Sequence, residues 1–149
     1  MSEITNFLTE ESIIMDCDSK SQKNTLEVLS NKMAELTSTN KDEIFQKLYE
    51  REKLGTTAFG NGIAIPHARI EGIQNAKIII LKLTEAIDFN SIDGNKVDII
   101  MSLFVPNDNN KMHVELLSSI ASLLDNQVFR EKIRTANTAS DVMMIIDGH

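Results

Sequence analysis

Arg51, His67 and His113 are the residues of this chain whose types together suit one reaction. A neutral imidazole, with an unperturbed pKa of about 6.5, can attack phosphorus at physiological pH. A guanidinium fork matches phosphoryl oxygens, and a second imidazole supplies one more donor. Phosphoryl transfer asks for little else, because its catalysis is mostly positioning and charge stabilisation. His67 suits the nucleophile, Arg51 the fork and His113 the further donor. The run "GNGIAIPHARI", residues 60–70, singles out His67. Pro66 fixes its own φ and biases Ile65 towards an extended backbone, so the imidazole leaves the chain in a defined direction. Gly60 and Gly62 are expected to bring backbone amides close to a bound anion, as in phosphate-binding nests.

Each residue also has a plainer reading. His67 would satisfy a loop carbonyl, His113 would be one more half-buried helix histidine, and Arg51 would pair with Glu50 or Glu52 on the surface. Gly60 and Gly62 would only permit a tight turn. His149 reads as a frayed end. Other chemistries are poorly supported. "GTTAFGNG" is not a nucleotide P-loop, "GNG" lacks the third glycine of a dinucleotide fingerprint, and no H-E-x-x-H occurs. "HVE" at residues 113–115 lacks the C-x-x-C of zinc deaminases. A zinc site built from His67, His113 and one carboxylate is the remaining metal alternative. The expectation is no metal and no cofactor.

The chain has 149 residues, 42% hydrophobic and 25% charged, which favours one soluble domain spanning 1–149. A net charge of −7 disfavours nucleic acid as a partner, while leaving room for a small basic pocket in an acidic surface. Cys17 is the only cysteine, so no intrachain disulfide can form. No apolar run approaches the roughly 20 residues of a membrane span, and "MSEITNFLTEES" does not read as a signal peptide. A cytoplasmic protein without membrane insertion is expected.

The elements that must position the three residues follow from periodicity. Leu26, Leu29, Met33 and Leu36 form one helical stripe, capped by Ser19 or Ser21. Asn40 caps a second helix, with Arg51 near its carboxyl end and Gly55 at its stop. Strands are expected at "IAIP", "KIIILKL" and "DIIMSLFVP", with a tight hairpin turn at Asp93-Gly94. His67 and His113 then lie just beyond proline-ended strands, at a rim where α/β sheets collect ligands. "NDNN" starts a helix through "KMHVELLSSIASLLD", and helices at "NQVFREKIRTA" and "SDVMMIID" complete the chain. The expected fold is α/β, a single-domain mixed β-sheet flanked by helices on both faces.

"REKLGTTAFGNGIAIPHARI", residues 51–70, resembles the phosphohistidine signature of the fructose/mannitol-type enzyme IIA domains of the bacterial phosphoenolpyruvate-dependent phosphotransferase system. "VPNDNNKMHVELLSSIASLL", residues 105–124, is similar to that family's second histidine region. The resemblance implies a phosphotransferase component phosphorylated on His67, with Arg51 and His113 lining its pocket. It also implies a mixed sheet flanked by helices. Within the family the chain looks most like the nitrogen-related regulatory enzyme IIA. Its implied partners are an HPr-like phosphocarrier and a regulated target protein. Ala68-Arg69 is closer to sugar-specific members, so a subunit passing phosphate to a IIB component for sugar uptake is the alternative.

Overall fold

Val97–Pro106 carries side chains buried on both faces, and this strand, β5, is the one around which the sheet assembles. The computed structural model describes residues 3–149; residues 1 and 2 of the expected domain lie outside the described residues. β4 (Lys77–Ile87) runs antiparallel to β5, and β1 (Ile13–Cys17) lies parallel on the far side of β4. On the other side of β5, the short strands β2 (Ile63–Ala64) and β3 (His67–Ile70) both pair with it in parallel.

Alternation along the central strands sends side chains to two cores. Ile78, Ile80, Ile99, Met101 and Leu103 face one side, where Leu116, Ile120 and Leu124 of α3 (Asn110–Leu124) meet them. The helices α4 (Gln127–Thr135) and α5 (Ala139–Asp147) complete that layer with Phe129, Ile133, Val142 and Ile146. Ile79, Leu81, Ile100 and Phe104 face the opposite side, against Leu26, Leu29 and Met33 of α1 (Gln22–Thr37) and Ile44 and Leu48 of α2 (Lys41–Leu54). The expected mixed sheet with helices on both faces is therefore the observed one.

The caps explain where these helices start. Ser21, rather than Ser19, caps α1 by accepting from the Asn24 amide, while the Ser19 hydroxyl turns inward to Thr25 at 2.6 Å. Asn40 accepts from the amides of Asp42 and Glu43, and Asn109 from that of Met112.

Three expectations need correction. β1 is absent from the sequence reading because its pattern is irregular: Asp16 has a φ of +49°, and the register with β4 shifts between Ile14 and Cys17. Asp93-Gly94 is not a two-residue hairpin. The β4–β5 pairing ends at Ile87 and Val97, and the turn inside the longer connection closes through Gly94 N–H to Ser91 O at 3.0 Å. There the Asp93 carboxylate accepts from the Ser91 hydroxyl and from the amides of Asn61 and Asn95, which organises a loop rather than a ladder.

The third correction bears on function. His67 does not follow the end of a strand; it opens β3. β2 and β3 are one edge strand interrupted at Ile65 and Pro66, for the offset to β5 is the same 36 residues at Ile63↔Ile99 and His67↔Leu103. Pro66 has no N–H to give, and its carbonyl accepts from Leu103 N–H at 3.1 Å and from the buried Ser102 hydroxyl at 2.7 Å. Replacing Ser102 with Ala should remove one of those bonds and lower stability by about 1 kcal/mol. A urea midpoint equal to wild type at unchanged slope would show that Ser102 does not anchor the break.

Candidate functional site

The interrupted edge strand, the last turn of α2 and the start of α3 converge on one cleft of about 740 Å³. Arg51, His67 and His113 all line it, as do Lys47, Glu50, Lys53, Arg69 and Asn107. Four cationic side chains against one carboxylate make this a basic pocket on a chain whose net charge is −7. Such a cleft selects a negatively charged group by local field rather than by overall charge.

His67 is held from both ends of its ring. Its Nδ1 lies 2.8 Å from the carbonyl oxygen of Ile65, two residues back. Arg51 Nε donates to His67 Nε2 at 3.2 Å. A carbonyl can only accept and a guanidinium can only donate, so Nδ1 carries the proton and Nε2 keeps a lone pair. With 8% of its surface exposed, the ring is desolvated enough to resist a second proton. Burial lowers its pKa to about 4; the Ile65 carbonyl opposes that shift, and Arg51 and His113 add to it. The neutral, lone-pair-bearing ring is the form a nucleophile needs.

Arg51 is itself positioned by a second bond, Nη1 to the carbonyl of Gly55 at 2.8 Å, so the helix stop orients the guanidinium. Just beyond it, Glu52 turns the other way. Its carboxylate accepts from the Thr57 amide and hydroxyl and from Gln22, tying the segment after α2 to α1. Glu52 is thus engaged elsewhere and does not pair with Arg51. His113 meets His67 edge-on, with ring centroids 5.4 Å apart and planes at 87°. Its pKa is also lowered, first by burial and then by Arg69 and Arg51.

Gly60 and Gly62 do not line this cleft. They flank Asn61 in a turn where all three φ values are positive, at +128°, +62° and +76°. A Cβ on Gly62 would sit 2.5 Å from Arg134 Nη2, which bonds the Asn61 carbonyl and the Asp98 carboxylate. A Cβ on Gly60 would meet the Asp93 carboxylate at 3.1 Å, and a carboxylate repels an anion. The plainer reading holds for both glycines: they permit a turn that a basic side chain pins from outside.

Arg69 is the residue that the sequence reading passed over. It donates from Nε to His113 Nδ1 at 3.3 Å. Period-two spacing on a strand puts it on the same face as His67, which is the signal that could have found it. Lys47, one helical turn before Arg51, could have been found by the same kind of argument. Among the described residues, no group of three or more His, Cys, Asp or Glu side chains could hold a metal ion.

Comparisons with known proteins give the family. The family model for "Phosphoenolpyruvate-dependent sugar phosphotransferase system, EIIA 2" matches residues 6–149, and the chain belongs to that family. It is therefore a phosphotransferase-system component by family. A nitrogen regulatory protein of Pseudomonas aeruginosa is 39% identical over 98% of this chain and 96% of its own length. The crystal structure of the nitrogen regulatory protein IIA-Ntr from Neisseria meningitidis superposes with a TM-score of 0.92, at 32% identity over 97% of this chain and 99% of that one. A mannitol enzyme IIA of Escherichia coli shares the fold at a TM-score of 0.78 and 17% identity, covering 93% of this chain and 98% of its own.

The buried ring makes a pH prediction. Folded His67 titrates at about 4, against about 6.5 for an unfolded histidine. Between those values the unfolded chain binds a proton that the folded chain refuses. Stability is therefore undiminished above about pH 6.5, declines as pH falls and levels off below about 4. An NMR titration of the His67 ring should give a midpoint near 4, and His67→Gln should flatten the corresponding loss of stability. A midpoint near the unperturbed value would contradict the buried, neutral ring.

Proposed function

We propose that this chain is a phosphoryl carrier that accepts its group on His67 Nε2 from an HPr-like phosphocarrier and serves a regulatory, nitrogen-type role. One observation carries the reading: the ring is neutral, its proton is on Nδ1, and its lone pair faces a basic cleft. The lone pair attacks the phosphorus of the carrier's phosphohistidine. The new Nε2–P bond forms as the carrier's N–P bond breaks, and the carrier's imidazole leaves with the electron pair. The His67 ring gains positive charge, which the Ile65 carbonyl stabilises through Nδ1–H, much as a carboxylate steadies the imidazolium of a catalytic triad. Arg51 turns from Nε2 to the phosphoryl oxygens and His113 donates to another of them. Onward transfer reverses these steps.

Similarity to nitrogen regulatory proteins over nearly the whole chain supports the regulatory role. Sugar-specific relatives support the alternative less well. A fructose-specific EIIABC component of Bacillus subtilis is 26% identical, and the match spans 23% of its length. In that alternative the phosphate passes to a IIB component, as suggested by the solution structure of a mannitol enzyme IIA in complex with phosphorylated enzyme IIB, which shares this fold. Among the described residues no helix is long and apolar enough to cross a membrane, which is compatible with the cytoplasmic location we propose. Residues 3–149 are read as one domain, because both cores share the same sheet.

Incubation with phosphoenolpyruvate, enzyme I and an HPr-type carrier should add one phosphoryl group by intact mass. The label should be acid-labile, alkali-stable and absent in His67→Ala. A label that survives acid or persists in His67→Ala overturns the assignment. Arg51→Ala and His113→Ala should each slow transfer about a hundredfold, the usual loss when one preorganised donor is removed. Arg51→Lys should also be slow, because the charge stays but the fork is lost. Transfer at the wild-type rate in these variants would mean that the pocket is wrongly drawn. Pull-downs with wild type, His67→Ala and His67→Glu should retain different partner sets, since the phosphate adds nearly two negative charges. Identical sets would favour the sugar-pathway relay.

A further inference from the structure

We infer that Arg69 is a positioning residue that fixes the tautomer and orientation of His113, so that His113 presents Nε2–H to the phosphoryl group. The inference rests on the phosphoryl-transfer reading of His67. Arg69 is two residues after His67 on β3, so alternation along the strand puts both side chains on one face, and both line the cleft. Its Nε lies 3.3 Å from His113 Nδ1 in donor geometry. Guanidinium nitrogens carry only donors, so Nδ1 of His113 is an acceptor and holds no proton. In a neutral ring the proton is then on Nε2.

The other groups at His113 point to the same state. Arg51 of α2 and Arg69 of β3 are both cations beside it, and His67 meets it edge-on. Burial first, and then the two cations, disfavour a second proton on the ring, and neither cation can accept one. The two arginines thus act in parallel on the two histidines with opposite results. His67, bonded at Nδ1 by a carbonyl, keeps on Nε2 a lone pair that accepts from Arg51. His113, bonded at Nδ1 by Arg69, exposes an N–H suited to a phosphoryl oxygen. Without Arg69, the His113 ring is free to flip and to exchange tautomers. A ring with an unprotonated Nε2 would set a lone pair against an anionic oxygen, which is repulsive.

Nitrogen-detected NMR of the histidine rings in the unphosphorylated protein tests this without any transfer step. In wild type, His113 Nδ1 should show the shift of a wholly unprotonated, hydrogen-bonded nitrogen. Arg69→Ala should show averaging between tautomers, and Arg69→Lys, still a donor-only cation, should recover most of the wild-type pattern. Transfer to His67 should slow about tenfold in Arg69→Ala, in line with losses seen when the partner that orients a functional histidine is removed. In the His113→Ala background the same change should have almost no effect, because Arg69 acts through the missing ring. Unchanged His113 shifts in Arg69→Ala, or an equal loss of transfer with His113 absent, would overturn the inference. Absence of label on wild type would overturn the transfer reading instead, and the ring shifts would then decide whether Arg69 sets the His113 tautomer.

Discussion

The hydrogen bond between His67 Nδ1 and the Ile65 carbonyl is the interaction on which the site depends. It exists because the edge strand is broken at Ile65 and Pro66. In an unbroken strand, a side chain stands away from the backbone two residues earlier. Here Pro66 supplies no donor, its carbonyl is tied to Ser102 and Leu103, and the Ile65 carbonyl is left for the imidazole. One bond then sets the tautomer, the direction of the ring and the nitrogen that meets the cleft. Because β2 and β3 keep a common register on β5, the break disturbs the sheet only where the histidine needs it.

Around that bond, the site works by opposing burial to charge. Desolvation keeps His67 neutral, the form the proposed nucleophile requires. The same low-polarity surroundings strengthen the attraction between Arg51 and any phosphoryl oxygen that arrives. Arg51 has two tasks that alternate. In the structure it occupies the Nε2 lone pair while anchored to Gly55; under the proposed function its fork would turn to the phosphoryl oxygens. Under the proposed function, a phosphoryl group of nearly two charges would neutralise much of a cleft that carries Lys47, Lys53 and Arg69 besides. The electrostatics of this face would then differ with and without the group, which is what a partner reading phosphorylation would sense.

Much of this was legible in the sequence because it rests on local rules. Apolar periodicity marked the helices, β-branched runs marked β4 and β5, Asn40 was visible as a cap, and "NDNN" as a helix start whose cap the structure places at Asn109. Arg51, His67 and His113 could be grouped by their types, and the structure brings all three to one cleft, although His67 opens β3 rather than following a proline-ended strand. What stayed hidden depends on contacts far apart in the chain. β1 is irregular at Asp16, and only its pairing with β4 makes it a strand. The glycine pair looked like an anion nest, but Asp93, Asp98 and Arg134, remote in sequence, show it to be a pinned turn. Arg69 could be assigned no partner until α3 was packed over β3's end, where the 44 residues to His113 close to a hydrogen bond.

The backbone, through Ile65, holds the proton on His67 Nδ1 and leaves Nε2 as the nitrogen we propose to react. The most direct measurement is nitrogen–phosphorus coupling by NMR on the phosphorylated protein, made at alkaline pH where the N–P bond survives. The phosphorus should couple to Nε2 of His67, with Nδ1–H still bonded to the Ile65 carbonyl. Phosphorus coupled to Nδ1 would require that bond to break before transfer, and would contradict the account.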